Sequence, residues 1–412
     1  MIIRILIFLA FLFLIEFLAL RAILKLPKEK GTKRKIIRYY LTFSGLLMLA
    51  TLVYYFFNQH AGIVDHIQFR RFFNLSALLI LNLAPKIIIS ISSIIDDIIQ
   101  LLLFILKSIF QKKIKKFYFR RCILYTGFLL SLILEGTLIY GIGFGNSEIV
   151  INRINITNPK VPDSFDGFSI AHISDFHLGS FKDTKLIEEA VLLLQSEDPD
   201  AIMFTGDLVN NEADEVKPFI PIMSKLKPTN GMFSILGNHD MGDYRRWYND
   251  REKQCNLQKL VFLQNEMGFT VLRNQHTYIV KNNDSIAVIG IDNWGEPPFK
   301  KYGDLNKASE DLDTSKFSIL LSHDPSHWKN EVITTSNIAL TLSGHTHGFQ
   351  FAVKLGNYTF SPVQFKYKEW GGLYKEKEQY LYVNTGLGFI GFPGRVGVKP
   401  EITVITLNND PN

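Results

Sequence analysis

Five short clusters in the second half of this chain combine residue types that hold divalent cations. They are Asp175-Phe176-His177, Gly206-Asp207, Gly237-Asn238-His239-Asp240, Ser322-His323-Asp324 and Gly344-His345-Thr346-His347. Carboxylate, imidazole and amide oxygen together suit Mn, Fe, Zn or similar ions, and the clusters contain no sulfur. At a strand end, the alternation of Asp175-x-His177 would set both side chains on one side, gripping a single ion. Two ions sit roughly 3.5–4 Å apart only when an anion bridges them. Asp207, alone on a glycine turn, has the position of that bridge. His345 and His347, also two apart, are placed to serve different ions. Each motif alone is weak, because such pairs arise by chance. The full set in this order, each after an apolar run, is a stronger signal. His172, His276 and His327 read as core or surface histidines.

The apolar runs are Phe168–Ile173, Ala201–Phe204, Met232–Leu236, Ser318–Leu321 and Ile338–Leu342. Runs this short, ended by polar residues, predict buried strands that deliver side chains at their C-terminal ends. Lys185–Gln195 has helical spacing between the first two, as a parallel βαβ connection requires. Glu148–Ile156 alternates like an opening strand. The expected class is α/β (α+β), with the domain spanning residues 147–412.

Residues 1–146 read as an all-α transmembrane region of about four helices, near 2–20, 39–57, 73–106 and 123–144. Ile2–Leu20 is a long apolar run with no small-residue cleavage site after it, which favours a retained span over a signal peptide. Phe72–Phe110 carries Pro85, Lys86, Asp96 and Asp97; one tilted span is preferred here to a hairpin at Pro85. Lys86 is expected to snorkel, and Asp96 and Asp97 to lie at the interface.

Charge divides along the same boundary. Residues 1–150 hold 19 Lys and Arg against 7 Asp and Glu, and residues 151–412 hold 26 against 32. The net +6 is therefore +12 followed by −6. Positive charge between apolar segments sets membrane orientation, and an acidic second half argues against nucleic acid as a partner. Residues 21–38 and 107–121 are basic, while the loop between the second and third spans has only Arg70 and Arg71. The positive-inside rule makes both basic loops cytoplasmic and leaves the chain after Phe144 outside the cytoplasm. Of the two cysteines, Cys122 and Cys255, one falls in each half. That excludes an internal disulfide or a thiolate cage in the second half.

Taken together, the clusters resemble the signature of the calcineurin-like metallophosphoesterase superfamily: D-x-H, G-D, G-N-H-[DE], H and G-H-x-H. All five elements lie between about Val161 and Leu407. Asn384-Thr385-Gly386-Leu387-Gly388, Pro393-Gly394-Arg395 and Pro400-Glu401-Ile402 are similar to the bacterial membrane-anchored branch of YkuE-like phosphoesterases. The resemblance implies a four-layer sandwich of two mixed β-sheets flanked by helices, and a hydrolase acting on phosphoric esters. It implies two divalent metal ions, one held by Asp175, His177, Asp207 and His347, the other by Asp207, Asn238, His323 and His345. It also implies attack by a hydroxide between the metals, with His239 as general acid.

Two departures from the pattern matter. After Gly206-Asp207 the chain runs Leu208-Val209-Asn210-Asn211, where related protein phosphatases have a second Asp and an Arg. Asn210 is expected to orient His239 through its amide oxygen, without charge, which weakens a phosphoprotein-phosphatase reading. Phe349 follows Gly348 where the branch has another glycine, and is expected to narrow or line the cleft. Arg395, in a glycine-rich loop, is a candidate phosphate contact, with a solvent-exposed loop arginine as the competing reading. Arg245, within Tyr244-Arg245-Arg246-Trp247-Tyr248, is a candidate cap over substrate or contact to lipid, against an ordinary surface helix. Few residues separate the last span from the opening strand, so the site stays close to the bilayer. A lipid-linked or cell-envelope phosphate ester or pyrophosphate is the substrate this geometry suggests. The alternative is a membrane sensor or scaffold with a non-catalytic metal site; it would show a lost donor or a lost His239, and neither is missing.

Overall fold

The computed structural model of the chain describes residues 2–26, 29–61, 66–110, 119–356 and 358–409. Contacts divide it into two units, one of Met1–Ala61 with Asn74–Tyr140, the other of Gly62–Phe73 with Gly141–Asn412.

The first unit is built from helices α1 (Ile2–Leu24) and α2 (Lys30–Ala61) and most of α3 (His66–Phe110) and α4 (Phe119–Phe144). Among the described residues, Arg71–Ile109 and Cys122–Phe144 are long and apolar enough to cross a membrane. α3 passes through Pro85 as one helix, so no hairpin forms there. Lys28 and residues 111–118 of the two basic loops lie outside the described residues. Phe13, Phe43 and Phe104 are exposed, a surface suited to lipid rather than water.

Lys86 does not snorkel. It is buried, with Glu16 Oε1, Ser44 Oγ and Asn82 Oδ1 each 2.7 Å from its ammonium. The Glu16 carboxylate from α1 neutralises the charge in place, so reaching for the interface would leave a buried anion alone. Asp96 is also fully buried, 3.2 Å from Lys25 Nζ, while Asp97 stays partly exposed.

The second unit contains two six-stranded sheets. The first has the order β1 (Val150–Thr157), β14 (Glu401–Asn408), β2 (Phe168–Ile173), β3 (Ala201–Phe204), β4 (Met232–Ser234) and β5 (Phe269–Val271). The second runs β12 (Gly372–Glu376), β13 (Gln379–Val383), β9 (Leu340–Ser343), β8 (Ser318–Leu321), β7 (Asp284–Gly290) and β6 (Gln275–Lys281). A separate hairpin joins β10 (Val353–Leu355) to β11 (Tyr358–Phe360). Both sheets are mixed. β2 to β5 are parallel, as are β13, β9, β8 and β7, while β14 against β2, β12 against β13 and β6 against β7 are antiparallel.

The central strands read as continuous apolar runs because both their faces are buried. In β2, Phe168 and Ile170 point between the sheets, where they meet Val288, Ile319 and Leu340. Ala171 and Ile173 point the other way, onto Ile187 and Val191 of α5 (Lys185–Glu197) and Leu260 of α6 (Asp250–Glu266). On the far face of the second sheet, Leu320 and Leu381 pack with Trp328 and Val332. The result is the expected four layers of helix, sheet, sheet and helical segments. β2, β3 and β4 of one sheet and β8 and β9 of the other carry their C-terminal ends to the same region. All five candidate clusters sit on those ends.

Candidate active site

The turn after β2 holds Asp175 and His177, and the turn after β3 holds Asp207. Those after β4, β8 and β9 hold Asn238 with His239, His323, and His345 with His347. Strand alternation does not aim these groups. Asp175, His177, Asp207, His345 and His347 all have positive φ, from 48° to 72°. Left-handed backbone at non-glycine residues costs about 1–3 kcal/mol each and persists only where the surroundings impose it. Here a neighbouring carboxylate imposes it at Asp207. The buried Asp240 side chain accepts from the backbone N–H groups of Asp207, Leu208, Val209 and Gly237, at 2.8 to 3.1 Å. Glu215 does the same for the next residues, accepting from Asn210, Asn211 and Glu212.

The donor atoms fall into two groups. Those of Asp175, His177 and His347 lie within 4.8 Å of one another, as do those of Asp207, His323 and His345. His177 Nε2 and His347 Nε2 are 3.1 Å apart, and Asp175 Oδ1 is 3.2 Å from His347 Nε2. Asp207 Oδ2 stands between the groups, 3.6 Å from His177 Nε2 and 3.1 Å from His323 Nε2.

Neighbours fix the rings so that their free nitrogens converge. His323 donates Nδ1–H to the Thr205 carbonyl at 2.7 Å, and His177 pairs through Nδ1 with Asn210 Oδ1 at 3.1 Å. His345 turns its Nδ1 inward because Nε2 is paired with the Tyr367 hydroxyl at 2.9 Å. Asn238 Nδ2 donates to the Tyr244 hydroxyl at 2.8 Å, which leaves Oδ1 buried with no hydrogen-bond partner.

Electrostatics points the same way. Burial opposes the charge on Asp175 and Asp207, yet His347 and His323 hold both carboxyls below their ordinary range. Burial disfavours a proton on His177, which falls well below an ordinary histidine, and on His345, lowered to about 4. His323 is the exception: burial is outweighed by the Asp207 carboxylate, which pushes it up to about 10. Two buried carboxylates, four converging imidazoles and one orphaned amide oxygen form a donor set that fits two divalent cations.

His239 is held differently from the expectation. Its Nδ1 lies 2.9 Å from the backbone carbonyl of Asn210, while the Asn210 side chain turns to His177 and Ser180. The reason is the loop: Glu215 pins the Asn210 N–H, and the amide then meets His177 first. The His239 ring also lies 4.4 Å from Tyr244, centre to centre. Burial keeps His239 below the ordinary histidine range, against the pull of Asp207.

Of the three suggested substrate contacts, Arg395 and Arg245 are held by neighbouring protein groups, and Phe349 is exposed beside the site. Arg395 is 1% exposed, neither a solvent arginine nor open to the cleft. It donates to the carbonyls of Thr385 and Gly388 and lies 3.4 Å from His347 Nδ1, beneath the site. Phe349, with φ 57°, is 65% exposed at the turn beside His347. Arg245 pairs with Glu212 at 2.7 Å and stacks over Trp247. No helix forms at 244–248; α6 starts at Asp250, capped by the Asn249 side chain. Tyr244, not Arg245, reaches the site, and Phe299 meets His345 edge-on at 4.8 Å. Asp240 was visible in its cluster as an acid of unassigned role; Glu215, Tyr367 and Phe299 carry no local sequence signal. His172 and His327 are buried structural histidines, and His276 pairs with the Ala308 carbonyl.

Comparison with known proteins matches this arrangement to one family. The family model described as calcineurin-like phosphoesterase matches residues 168–349, and one described as a probable calcineurin-like phosphoesterase transmembrane domain matches residues 2–146. The chain is 32% identical over 295 residues to the uncharacterized metallophosphoesterase YkuE of Bacillus subtilis (strain 168), covering 68% of this chain and 95% of that protein. It is 28% identical over 290 residues to a transmembrane protein with metallophosphoesterase domain of Danio rerio, covering 68% of this chain and 62% of that protein. Among solved structures it is similar to a dimetal phosphatase from Danio rerio, with TM-score 0.35 and 10% identity over 54% of this chain and 88% of that one. The chain is a membrane protein and a hydrolase of phosphoric esters, and it belongs to the calcineurin-like metallophosphoesterases.

Proposed function

We propose that the second unit hydrolyses a phosphate ester or pyrophosphate with two divalent cations, held by Asp175, His177, Asp207 and His347 and by Asp207, Asn238, His323 and His345. The observation that carries the reading is the convergence of two donor groups, Asp175, His177 and His347 and Asp207, His323 and His345, with Asp207 Oδ2 within 3.6 Å of a histidine from each. Bound there, the ions would supply acidified water and neutralise charge gathering on phosphoryl oxygens. The chain's own part is orientation and proton transfer. Asn210, Thr205 and Tyr367 fix the tautomers of His177, His323 and His345. The Asn210 carbonyl accepts a hydrogen bond from His239 Nδ1–H, so Nε2 gives a proton to the departing oxygen from the imidazolium form, which burial opposes and the nearby Asp207 carboxylate favours. Phe299, Tyr244 and Tyr367 rim the site with aromatic surface, which suits a substrate with an apolar body.

In this reading the first unit crosses the membrane four times and the second unit lies outside the cytoplasm, with a lipid-linked or envelope phosphate as substrate. The basic loops 21–38 and 107–121 support the orientation. Nitrophenol release from mono- and bis-nitrophenyl phosphate by the Mn²⁺-loaded protein tests the chemistry, with Asp207→Asn as control. Equal rates from the protein and the control would remove the catalytic reading and leave the sensor. Lipid phosphates hydrolysed no faster than soluble esters would remove the substrate class, and a cytoplasmic C-terminal reporter would overturn the topology.

A further inference from the structure

A cavity of about 620 Å³ lies within the helical unit. Phe17, Leu20 and Leu24 line it from α1, and Leu124 from α4. The three α1 residues are spaced three and four apart, so they form one apolar stripe along that helix. Arg21, Lys25 and Lys33 line the same cavity. Its wall therefore combines an apolar stripe with three cations.

The cations are not equivalent. Lys25 is saturated: its ammonium meets Ser93 O at 3.1 Å, Ser93 Oγ at 2.7 Å, Asp96 at 3.2 Å and Asp97 at 2.7 Å. Arg21 gives one nitrogen to Asp97 at 2.8 Å and is half exposed, so most of its five N–H donors remain for a second anion. Lys33 lines the cavity from the start of α2.

We propose that this cleft binds an anionic phospholipid, its phosphodiester at Arg21 and Lys33 and an acyl chain along Phe17, Leu20 and Leu24. The free donors of Arg21 and the Lys33 ammonium match a phosphodiester, and the apolar stripe matches a hydrocarbon tail. The volume is in the range of about 300–1,000 Å³ that holds small molecules. The shared chemistry with free phosphate ends at these two cations, because phosphate has nothing to place on the stripe. This site needs no turnover, so its test is independent of catalysis.

The test uses the full chain in detergent, followed by thermal unfolding and lipid titration. Phosphatidylglycerol should raise the Tm and bind at least about fivefold more tightly than phosphatidylcholine of the same chains, since one Lys or Arg near an anionic headgroup contributes about 1 kcal/mol. Lys33→Gln should remove most of that preference and leave the lipid-free Tm unchanged. Leu20→Trp, which fills the stripe, should weaken phosphatidylglycerol binding while leaving inorganic phosphate unaffected. Equal stabilisation by both lipids overturns the proposal, as does an undiminished preference in Lys33→Gln. A shift reproduced by inorganic phosphate alone overturns the lipid and leaves an anion site.

Discussion

The division of labour at Asn210 separates two roles that the sequence had merged. Its backbone carbonyl anchors His239, and its side chain anchors His177. Replacing Asn210 by Ala removes the side-chain contacts to His177 and Ser180 and keeps the backbone contact to His239. Asn210→Ala should therefore lower metal affinity, by about 10- to 100-fold as for other partners of ligating histidines, and leave the pH limb of His239 in place. Metal titration and a pH–rate profile of the metal-saturated variant check both halves. His327 illustrates a buried imidazole outside the site. Stacked on Trp294 at 5.1 Å and paired with Ser322, it is driven by burial from 6.5 down to about 4. A folded value below the unfolded one means that the unfolded chain binds the proton first as pH falls. The stabilisation is present above about pH 6.5 and lost as pH falls through about 4, on the order of 3 kcal/mol. His327→Gln should flatten the pH dependence of Tm between those limits, measured on the detergent-solubilised chain.

At the scale of elements, the turns after β2 and β9 are packed too closely for a side chain between them. A Cβ on Gly344 would strike Ser174 Oγ and Asp175 Oδ2. Gly344→Ala should move Asp175 and cut metal content sharply, while far-ultraviolet circular dichroism stays native, because no strand is touched. Loss of the whole dichroic signal would show that the turn is needed for the sheet itself. The strands that bear the clusters were legible to within two residues: β2, β3 and β8 match their apolar runs, while β4 stops at Ser234 and β9 starts at Leu340. Burial on both faces produces that signal. β10, β11 and β12 lie partly exposed at the margins, with mixed composition, so no comparable run marks them. The expected helix at 244–248 failed because Tyr244 and Arg245 find tertiary partners, Asn238 and Glu212, that a helix would pull away.

Across the whole molecule, each unit carries charge that it must satisfy internally. In the helical unit that burden falls on Glu16 and Lys86, 2.7 Å apart. Glu16→Gln alone leaves a buried ammonium, and should destabilise the solubilised chain by about 3–5 kcal/mol. The pair Glu16→Leu with Lys86→Met should recover much of the loss, because two buried charges are removed together. A Tm series over Glu16→Gln, Lys86→Met and the double variant reads this directly. If the singles lie within a degree of the parent, the pair is solvated and its burial means little.

The five clusters and their order determined the family, the donor types and the strand ends that carry them, because those are local properties of chemistry and apolar length. The split of charge between +12 and −6 likewise separated a membrane half from an acidic domain. Only the tertiary structure decided which atoms of Asn210 and His239 meet, that Arg395 lies beneath the site, and that Tyr244, Tyr367 and Asp240 hold it in shape. Those contacts join residues far apart in the chain or depend on a left-handed turn. Their geometry is set by packing, and spacing along the sequence carries no trace of it.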